Sequence, residues 1–105
     1  AIENSIYFEK VNLYDMAETC VNMLQVNAEK HNVSLLFSGT PCTITANKDM
    51  IEELMYNLCD NAIRYNVPGG MVWMEVKEEY GKVVLRVKDT GIGIQSEDIP
   101  RLFQF

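Results

Sequence analysis

The sequence is short of basic residues. Its 105 residues include 9 Lys and Arg against 15 Asp and Glu, which gives a net charge of −6, and no polybasic run occurs. A nucleic-acid interface needs clustered Lys and Arg to neutralise phosphates, so we expect no nucleic-acid partner. The length fits one domain with a single small core.

Cysteine and histidine are too few and too scattered to indicate a metal site. Cys20, Cys42 and Cys59 form no CxxC pair, which argues against a zinc site and against a disulfide framework. We interpret Cys20 and Cys59 as small core residues in a reducing, cytoplasmic setting. His31, the single histidine, ends a predicted helix, where an imidazole commonly contacts only the last carbonyls.

Long apolar runs are also missing. No signal peptide and no apolar stretch of membrane-spanning length occurs in these 105 residues, so we expect no membrane contact by this chain. The chain ends on Phe103 and Phe105. Because apolar ends usually need a surface to pack on, we interpret the chain as cut from a longer protein.

The remaining patterns predict an α+β protein. Helical periodicity predicts helices over Asn12–His31 and Asp49–Asn66, capped by Asn12 and by Asp49 with Glu52. Asn32 is expected in a left-handed conformation after the first helix. The strands are predicted at 5–11, 33–37, 42–46, 71–78 and 82–88, with one hairpin joining the second to the third, another turning at 79–81, and a short helix starting at 96–98.

The second predicted helix has two unlike faces. Asn57, Asn61 and Arg64 share one face, although Asn is uncommon inside helices because its amide competes for backbone hydrogen bonds. Amide oxygens suit Mg²⁺, and Arg can meet phosphate; the alternative is that both amides are solvated or bonded to neighbouring loops. The other face is an apolar stripe that can pack on a core, made by Ile51, Leu54, Met55, Leu58, Ala62 and Tyr65.

Residues 89–94 read DTGIGI. Asp89 leaves the last predicted strand, where its carboxylate can accept a hydrogen bond from an amine. Gly91 and Gly93 let the backbone approach a flat ligand or adopt a positive φ. The alternative is a glycine-rich turn after an edge strand.

Together these motifs resemble the ATP-binding catalytic domain of bacterial sensor histidine kinases, in the GHKL superfamily. NLCDNAIRYN resembles the N box, DTGIGI the first glycine box and IPRLFQF the start of the F box. The resemblance covers nearly all of residues 1–105. It implies a Bergerat-type two-layer α/β sandwich, with a mixed sheet of about five strands and the helices on one face. The covering loop and second glycine box are absent from the sequence, so we expect the fold to be incomplete on its C-terminal side.

The resemblance also implies roles at the phosphates. Asn61 would hold Mg²⁺ between the phosphates of ATP, with Asn57 and Arg64 close to the phosphate tail. Asn57 stands where the ATP-hydrolysing members of the superfamily carry a Glu that activates water, and an amide cannot act as a general base. We expect Glu53 and Asp60 to be solvated charges, and we assign no catalytic residue.

At the base, Tyr65 would lie against the purine and ribose, and Asp89 would accept a hydrogen bond from the exocyclic amine of adenine. Gly91, Gly93 and Ile94 would bind the nucleotide through the first glycine box. Phe103 would pack near the covering loop.

The implied activity is transfer of the ATP γ-phosphate to a histidine in a separate dimerisation domain of a two-component kinase. That domain and a cognate response regulator are the implied partners, and the chain would be a cytoplasmic portion of a membrane-anchored sensor. The alternatives are a serine kinase of the anti-sigma-factor type, and a docking or regulatory module without nucleotide binding.

Two expectations follow from the incomplete fold. MgATP binding by these 105 residues should be weak or undetectable, and a further C-terminal segment should restore it. An unpaired sheet edge should favour self-association.

Overall fold

The computed structural model describes residues 7–90 with their side chains and residues 94–99 by their backbone. Within these ranges the protein has the expected α+β architecture. The elements are β1 (Glu9–Asn12), α1 (Leu13–Lys30), β2 (Ser34–Gly39), β3 (Thr43–Ala46), α2 (Lys48–Arg64), β4 (Met71–Glu79), β5 (Lys82–Asp89) and β6 (Ile94–Ile99). In this part of the chain, no helix combines the length and the apolar character needed to cross a membrane.

Helix α1 forms as the sequence predicts. The Oδ1 atom of Asn12 accepts a hydrogen bond of 3.0 Å from the backbone N–H of Asp15, which satisfies one of the free donors of the first turn. Asn32 follows the helix with φ 57°, the left-handed conformation expected there. The apolar residues that recur at helical spacing along it are buried throughout: Leu13, Met16, Ala17, Cys20, Leu24 and Ala28.

Helix α2 begins earlier than predicted. Its N-cap is Asn47, whose side chain accepts a 2.9 Å hydrogen bond from the N–H of Met50. The prediction of Asp49 as the cap is therefore wrong, because the amide of Asn47 already meets the donor that a cap must satisfy. Asp49 instead lies in the first turn, where its negative charge interacts favourably with the helix dipole.

The strands form two sheets instead of one. β2, β4, β5 and β6 make a four-stranded mixed sheet in that order, while β1 pairs with β3 in a separate antiparallel ribbon. The predicted hairpin between the second and third strands is wrong: β2 pairs in parallel with β4, from Ser34 opposite Met71 to Gly39 opposite Val76. The chain continues bonded to β4 as far as Thr40, whose N–H donates to the carbonyl of Val76, so it cannot fold back on β2.

The hairpin between β4 and β5 is confirmed. Glu79 lies opposite Lys82, and the two turn residues Tyr80 and Gly81 have φ of 51° and 76°. Two successive positive φ values are typical of a type I′ turn, whose twist matches that of the strands it joins.

The first strand is shorter than predicted, and a sixth strand replaces a predicted helix. β1 begins at Glu9, and residues 1–6 of the sequence lie outside the described ranges. β6 pairs antiparallel with β5, with Lys88 opposite Ile94 and Val83 opposite Ile99. The helix expected from 96 is therefore wrong, because the open edge of β5 offers this segment a ladder of backbone hydrogen bonds that local capping signals do not reveal.

Both helices cover one face of the four-stranded sheet. α1 packs on β2 and β4, and α2 packs on β4 and β5. The residues that point from the sheet into this core are Leu35, Val72, Met74, Val76, Val83, Leu85 and Val87. On the opposite face Leu36 and Trp73 remain exposed among the described residues. The two-layer arrangement is confirmed.

Candidate functional site

The end of α2 and the end of β5 are tied together by hydrogen bonds. The amide nitrogen of Asn66 donates to the carbonyl of Met71 at 2.9 Å, and its Oδ1 lies 3.5 Å from the hydroxyl of Thr90. That hydroxyl also accepts a 3.0 Å hydrogen bond from the N–H of Met71. We call this set of three residues the α2–β5 junction. It places the Asn-bearing helix beside the end of β5.

Gly70 makes the α2–β5 junction close-packed. A Cβ built on Gly70 would collide with Oδ1 of Asn66 and would lie 2.8 Å from the hydroxyl of Thr90 and 2.9 Å from the carbonyl of Val67. Only a residue without a side chain fits there. The α2–β5 junction therefore requires glycine as the second residue of the Gly-Gly loop.

Asp89 is the last residue of β5, as expected. It lies opposite Val72 and continues the row of Val83, Leu85 and Val87, so its side chain points to the face that the helices cover. Its Oδ2 atom is buried. A carboxylate oxygen held there, next to the α2–β5 junction, is suited to accept a hydrogen bond from a ligand amine.

Asn57 and Asn61 lie one turn apart on α2, and both side chains are exposed. Asp60 faces α1, because it accepts a hydrogen bond of 3.5 Å from Asn27. Each residue advances about 100° around a helix, so Asn61 points about a quarter turn away from Asp60, on an exposed side of α2. Two outward amide oxygens can serve as ligands for a hard cation.

The side chain of Arg64 is turned toward Asp60 in this structure. Its guanidinium forms an ion pair of 3.4 Å with Asp60, on the side of α2 that faces α1. The expectation of Asp60 as a solvated charge is wrong, since Asp60 is 14% exposed and bonded to both Arg64 and Asn27. Arg64 is itself 55% exposed, and a surface ion pair of this kind contributes at most about 1 kcal/mol.

Tyr65 does not belong to the apolar stripe. It is the C-cap of α2 and is 61% exposed, because the helix ends before its side chain can turn toward the core. An exposed aromatic ring adjoining Asn66 can stack on a flat ligand at the α2–β5 junction. The other stripe residues are buried or packed against the core: Ile51, Leu54, Met55, Leu58 and Ala62.

Several predicted site residues fall outside the described ranges. Gly91, Gly93 and Phe103 are among them, and of Ile94 only the backbone is described, at the start of β6. Asn66 and Thr90 are functional candidates that the sequence reasoning missed. Both lie within the quoted motifs, Asn66 at the end of NLCDNAIRYN and Thr90 in DTGIGI, but neither was assigned a role.

The cysteines are free and buried. Burial raises the pKa of the Cys59 thiol to about 12, with smaller contributions from Cys20 and Asp60. Burial, with a smaller contribution from Glu52, raises the pKa of Cys20 to about 11. Both thiols therefore stay protonated near neutral pH, and their prediction as core residues is confirmed.

His31 contacts the end of α1 as expected. Its Nδ1 lies 3.0 Å from the carbonyl oxygen of Asn27. Among residues 7–90, no three His, Cys, Asp or Glu side chains are arranged to hold a metal ion. A cation bound beside Asn57 and Asn61 would therefore be held by amide oxygens together with its other ligands.

A family model described as histidine kinase-, DNA gyrase B- and HSP90-like ATPase matches residues 46–105. The cell-division control histidine kinase PdhS of Brucella canis is 34% identical to the chain over 95 residues. Its counterpart from Brucella anthropi shows the same identity over the same length. Each alignment covers 88% of this chain and 9% of the relative, so the chain spans about a tenth of the length of these curated proteins.

Solved structures share the fold. The catalytic domain of the histidine kinase ThkA superposes with a TM-score of 0.74 at 22% identity, covering 80% of this chain and 58% of that domain. The mycobacterial sensor histidine kinase MprB gives 0.72 at 20% identity, covering 84% and 58%. ThkA in complex with the response regulator TrrA gives 0.71 at 21% identity, covering 79% and 25%.

Proposed function

Because the chain belongs to the histidine kinase-, DNA gyrase B- and HSP90-like ATPase family, we propose that it is the nucleotide-binding domain of a protein-histidine kinase. Its substrate would be MgATP, and the phosphoryl acceptor would be a histidine in a separate dimerisation domain of the same protein. A response regulator would then receive the phosphoryl group. The identity of 34% to curated histidine kinases supports this branch of the family.

The α2–β5 junction is the observation that carries the proposal. It joins the helix that bears Asn57 and Asn61 to the strand that ends in Asp89. A nucleotide presents a purine at one end and phosphates at the other, so its site needs an acceptor for the amine and oxygen ligands for a cation. Asp89 and the asparagine pair supply these two kinds of group from adjacent elements.

The donor set fits the magnesium ion that the family implies. Asn61 and Asn57 offer exposed amide oxygens, which are hard ligands, and Mg²⁺ retains several waters when it binds phosphates. Arg64 can reach a phosphate if it leaves Asp60, and at 55% exposure its side chain has room to turn. When bound, the ion would offset phosphate charge as the phosphoryl group transfers.

The chain's own residues would bind and orient the nucleotide. Asp89 would fix the base through its buried Oδ2 atom, and Tyr65 would cover one side of the purine with its exposed ring. Asn57 has no basicity, so it cannot act as a general base to activate water. The reaction would break the bond between the γ-phosphorus and its bridging oxygen, form a phosphorus–nitrogen bond to the acceptor histidine and release ADP.

Chemical lability of the product tests the proposal. Any longer protein that contains this chain would be incubated with Mg²⁺ and ATP labelled in the γ-phosphate. Phosphohistidine is lost in acid and stable in base, whereas phosphoserine survives acid. We expect an acid-labile label. An acid-stable label would indicate a serine kinase, and the absence of any label would indicate a docking module without kinase activity. Both of those outcomes contradict the proposal.

A further inference from the structure

The helical layer carries a groove on its outward side, between α1 and α2. We call it the helix groove. Its first half has a volume of about 600 Å³ and is lined largely by apolar side chains, including Met16, Met23, Met55 and Tyr56. Met23 is 57% exposed and Tyr56 is 37% exposed. Exposed apolar side chains lining a concave surface indicate a binding surface.

Acidic residues border this first half of the helix groove. Asp49, Glu52 and Glu53 line it, and all three lie in the first two turns of α2. They give this end of the groove a negative charge. Among the described residues, those that line this half include no Lys, Arg or His. Lys10 and Lys48 line an adjoining hollow, together with the acidic residues Glu9, Asp15 and Glu52.

The other half of the helix groove has the opposite charge. Lys30, His31 and Arg64 line a hollow of about 300 Å³ at the ends of the two helices. Tyr56 lines this hollow as well as the first half, so the two are parts of one groove. Among the described residues that line this hollow, Asp60 is the acid, and it is paired with Arg64.

The polarity of the helix groove follows from helix direction. Residues early in α1 face residues early in α2, and residues late in α1 face residues late in α2, so the two helices run in the same direction. The acidic end therefore coincides with two helix N-termini and the basic end with two C-termini. The macrodipole of a third helix in this groove would interact favourably with those of α1 and α2 only if the third helix ran antiparallel to both.

We propose that the helix groove docks an amphipathic α-helix of a partner protein, lying antiparallel to α1 and α2. The partner helix would carry acidic residues in its first turn and basic residues in its last turn, which is the charge order that stabilises a helix on its own. Its basic end would meet Glu52 and Glu53, its acidic end would meet Lys30, and its apolar stripe would cover Met23 and Tyr56. The groove from Asp49 to Arg64 would hold a helix of roughly 22 Å, or about four turns.

Shape favours a partner helix over a second copy of this chain. Helices pack by placing a ridge of side chains into a groove. Two copies facing each other through the helix groove would oppose one concave surface to another, whereas a single helix presents a ridge that fills it.

Two synthetic helical peptides of identical composition test the proposal. One has acidic residues in its first turn and basic residues in its last, and the other has these charges exchanged; both carry leucines at helical spacing. Titration of the chain, followed by fluorescence anisotropy, should show binding of the first peptide and affinity at least about tenfold lower for the second.

Variants of α1 locate the bound peptide. Met23→Asp should lower affinity for the first peptide at least about tenfold, because it puts a charge on the apolar wall. Val26→Asp is the matched control, because Val26 is also 57% exposed on α1 but does not line the groove. It should leave affinity within about twofold.

A charge-exchange variant distinguishes a change in peptide binding from a loss of folding. Glu53→Lys should weaken binding of the first peptide and strengthen binding of a peptide whose last turn carries Glu instead of Lys. Three results would overturn the proposal: no binding, equal binding of both peptides, or self-association in sedimentation that Met23→Asp abolishes. The last would identify a second copy as the occupant.

Discussion

At the scale of single residues, the account depends on side chains whose chemistry is unusual for their position. Asn57 and Asn61 are exposed in the middle of a helix, where asparagine is disfavoured. Asp89 ends a strand with one carboxylate oxygen buried. The asparagine pair fits binding better than folding, because asparagine inside a helix does not stabilise that helix.

Asn61→Ala should weaken MgATP binding. The amide oxygen that we assign to the cation would be lost, and hydrogen bonds or ligand contacts to charged groups contribute about 1.5–3 kcal/mol. We expect affinity to fall by at least about tenfold, measured by titration of a nucleotide in the presence of Mg²⁺.

Asn22→Ala is the matched control, because Asn22 is an exposed asparagine within α1. It should bind MgATP as the unmodified chain does. Equal losses in the two variants would contradict the assignment of Asn61.

At the scale of elements, the sequence correctly predicted features that depend on neighbouring residues. The Tyr80–Gly81 turn and the Asn12 cap are set by neighbouring residues, and both were readable from the sequence. The cap at Asn47 was missed because Asp49 offers a similar local signal two residues later.

Pairings between distant segments were not readable. β2 pairs with β4 although the whole of α2 lies between them in the sequence, and no residue near β2 indicates this partner. Sequence proximity wrongly favoured a hairpin with β3, and the pairing of β6 with β5 overrode the capping residues at 96–98. The residues of the candidate site were proposed from the sequence and stay a prediction, while the hydrogen bonds of Thr90 emerged only from the fold.

Gly70→Ala should disturb the α2–β5 junction. The added methyl group would collide with Asn66 and crowd Thr90, and overpacking of this kind costs about 1–3 kcal/mol. We expect a lower free energy of unfolding in denaturant titrations, together with shifted amide resonances at Asn66 and Thr90.

Gly69→Ala separates this effect from backbone strain. Gly69 has φ +84° and open space around it, so alanine there is strained but meets no neighbour. It should destabilise the chain by about 1–2 kcal/mol without moving the Thr90 resonance. A shift of Thr90 in both variants would contradict the close packing that we assign to Gly70.

At the scale of the whole molecule, one core holds the two layers together, and buried thiols lie inside it. The pKa of Cys59 is raised to about 12 and that of Cys20 to about 11, against an ordinary value of 9.0. At pH values between 9.0 and the raised pKa of each thiol, the unfolded chain releases thiol protons that the folded chain retains. Stability from the buried thiols is therefore complete below pH 9 and is lost as pH rises toward 12.

Alkaline unfolding should show this linkage. Each thiol can lower the free energy of unfolding by up to about 1.4 kcal/mol per pH unit in that window. Cys59→Ala removes one thiol, so the difference in stability between the unmodified chain and this variant should narrow above pH 9. A difference that stays constant from pH 8 to about pH 11 would contradict the assigned burial.

The nucleotide site itself is tested most directly by locating bound MgATP on the chain. Amide resonances would be followed in two-dimensional NMR spectra as MgATP is added, a method that detects weak binding as well as tight binding. We predict shifts at Asn61, Tyr65, Asp89 and Thr90, and none at Val11 or Ile44 in the β1–β3 ribbon. Shifts that spare Asn61 and Asp89, or that move only one of them, would contradict a single site formed by α2 and the end of β5.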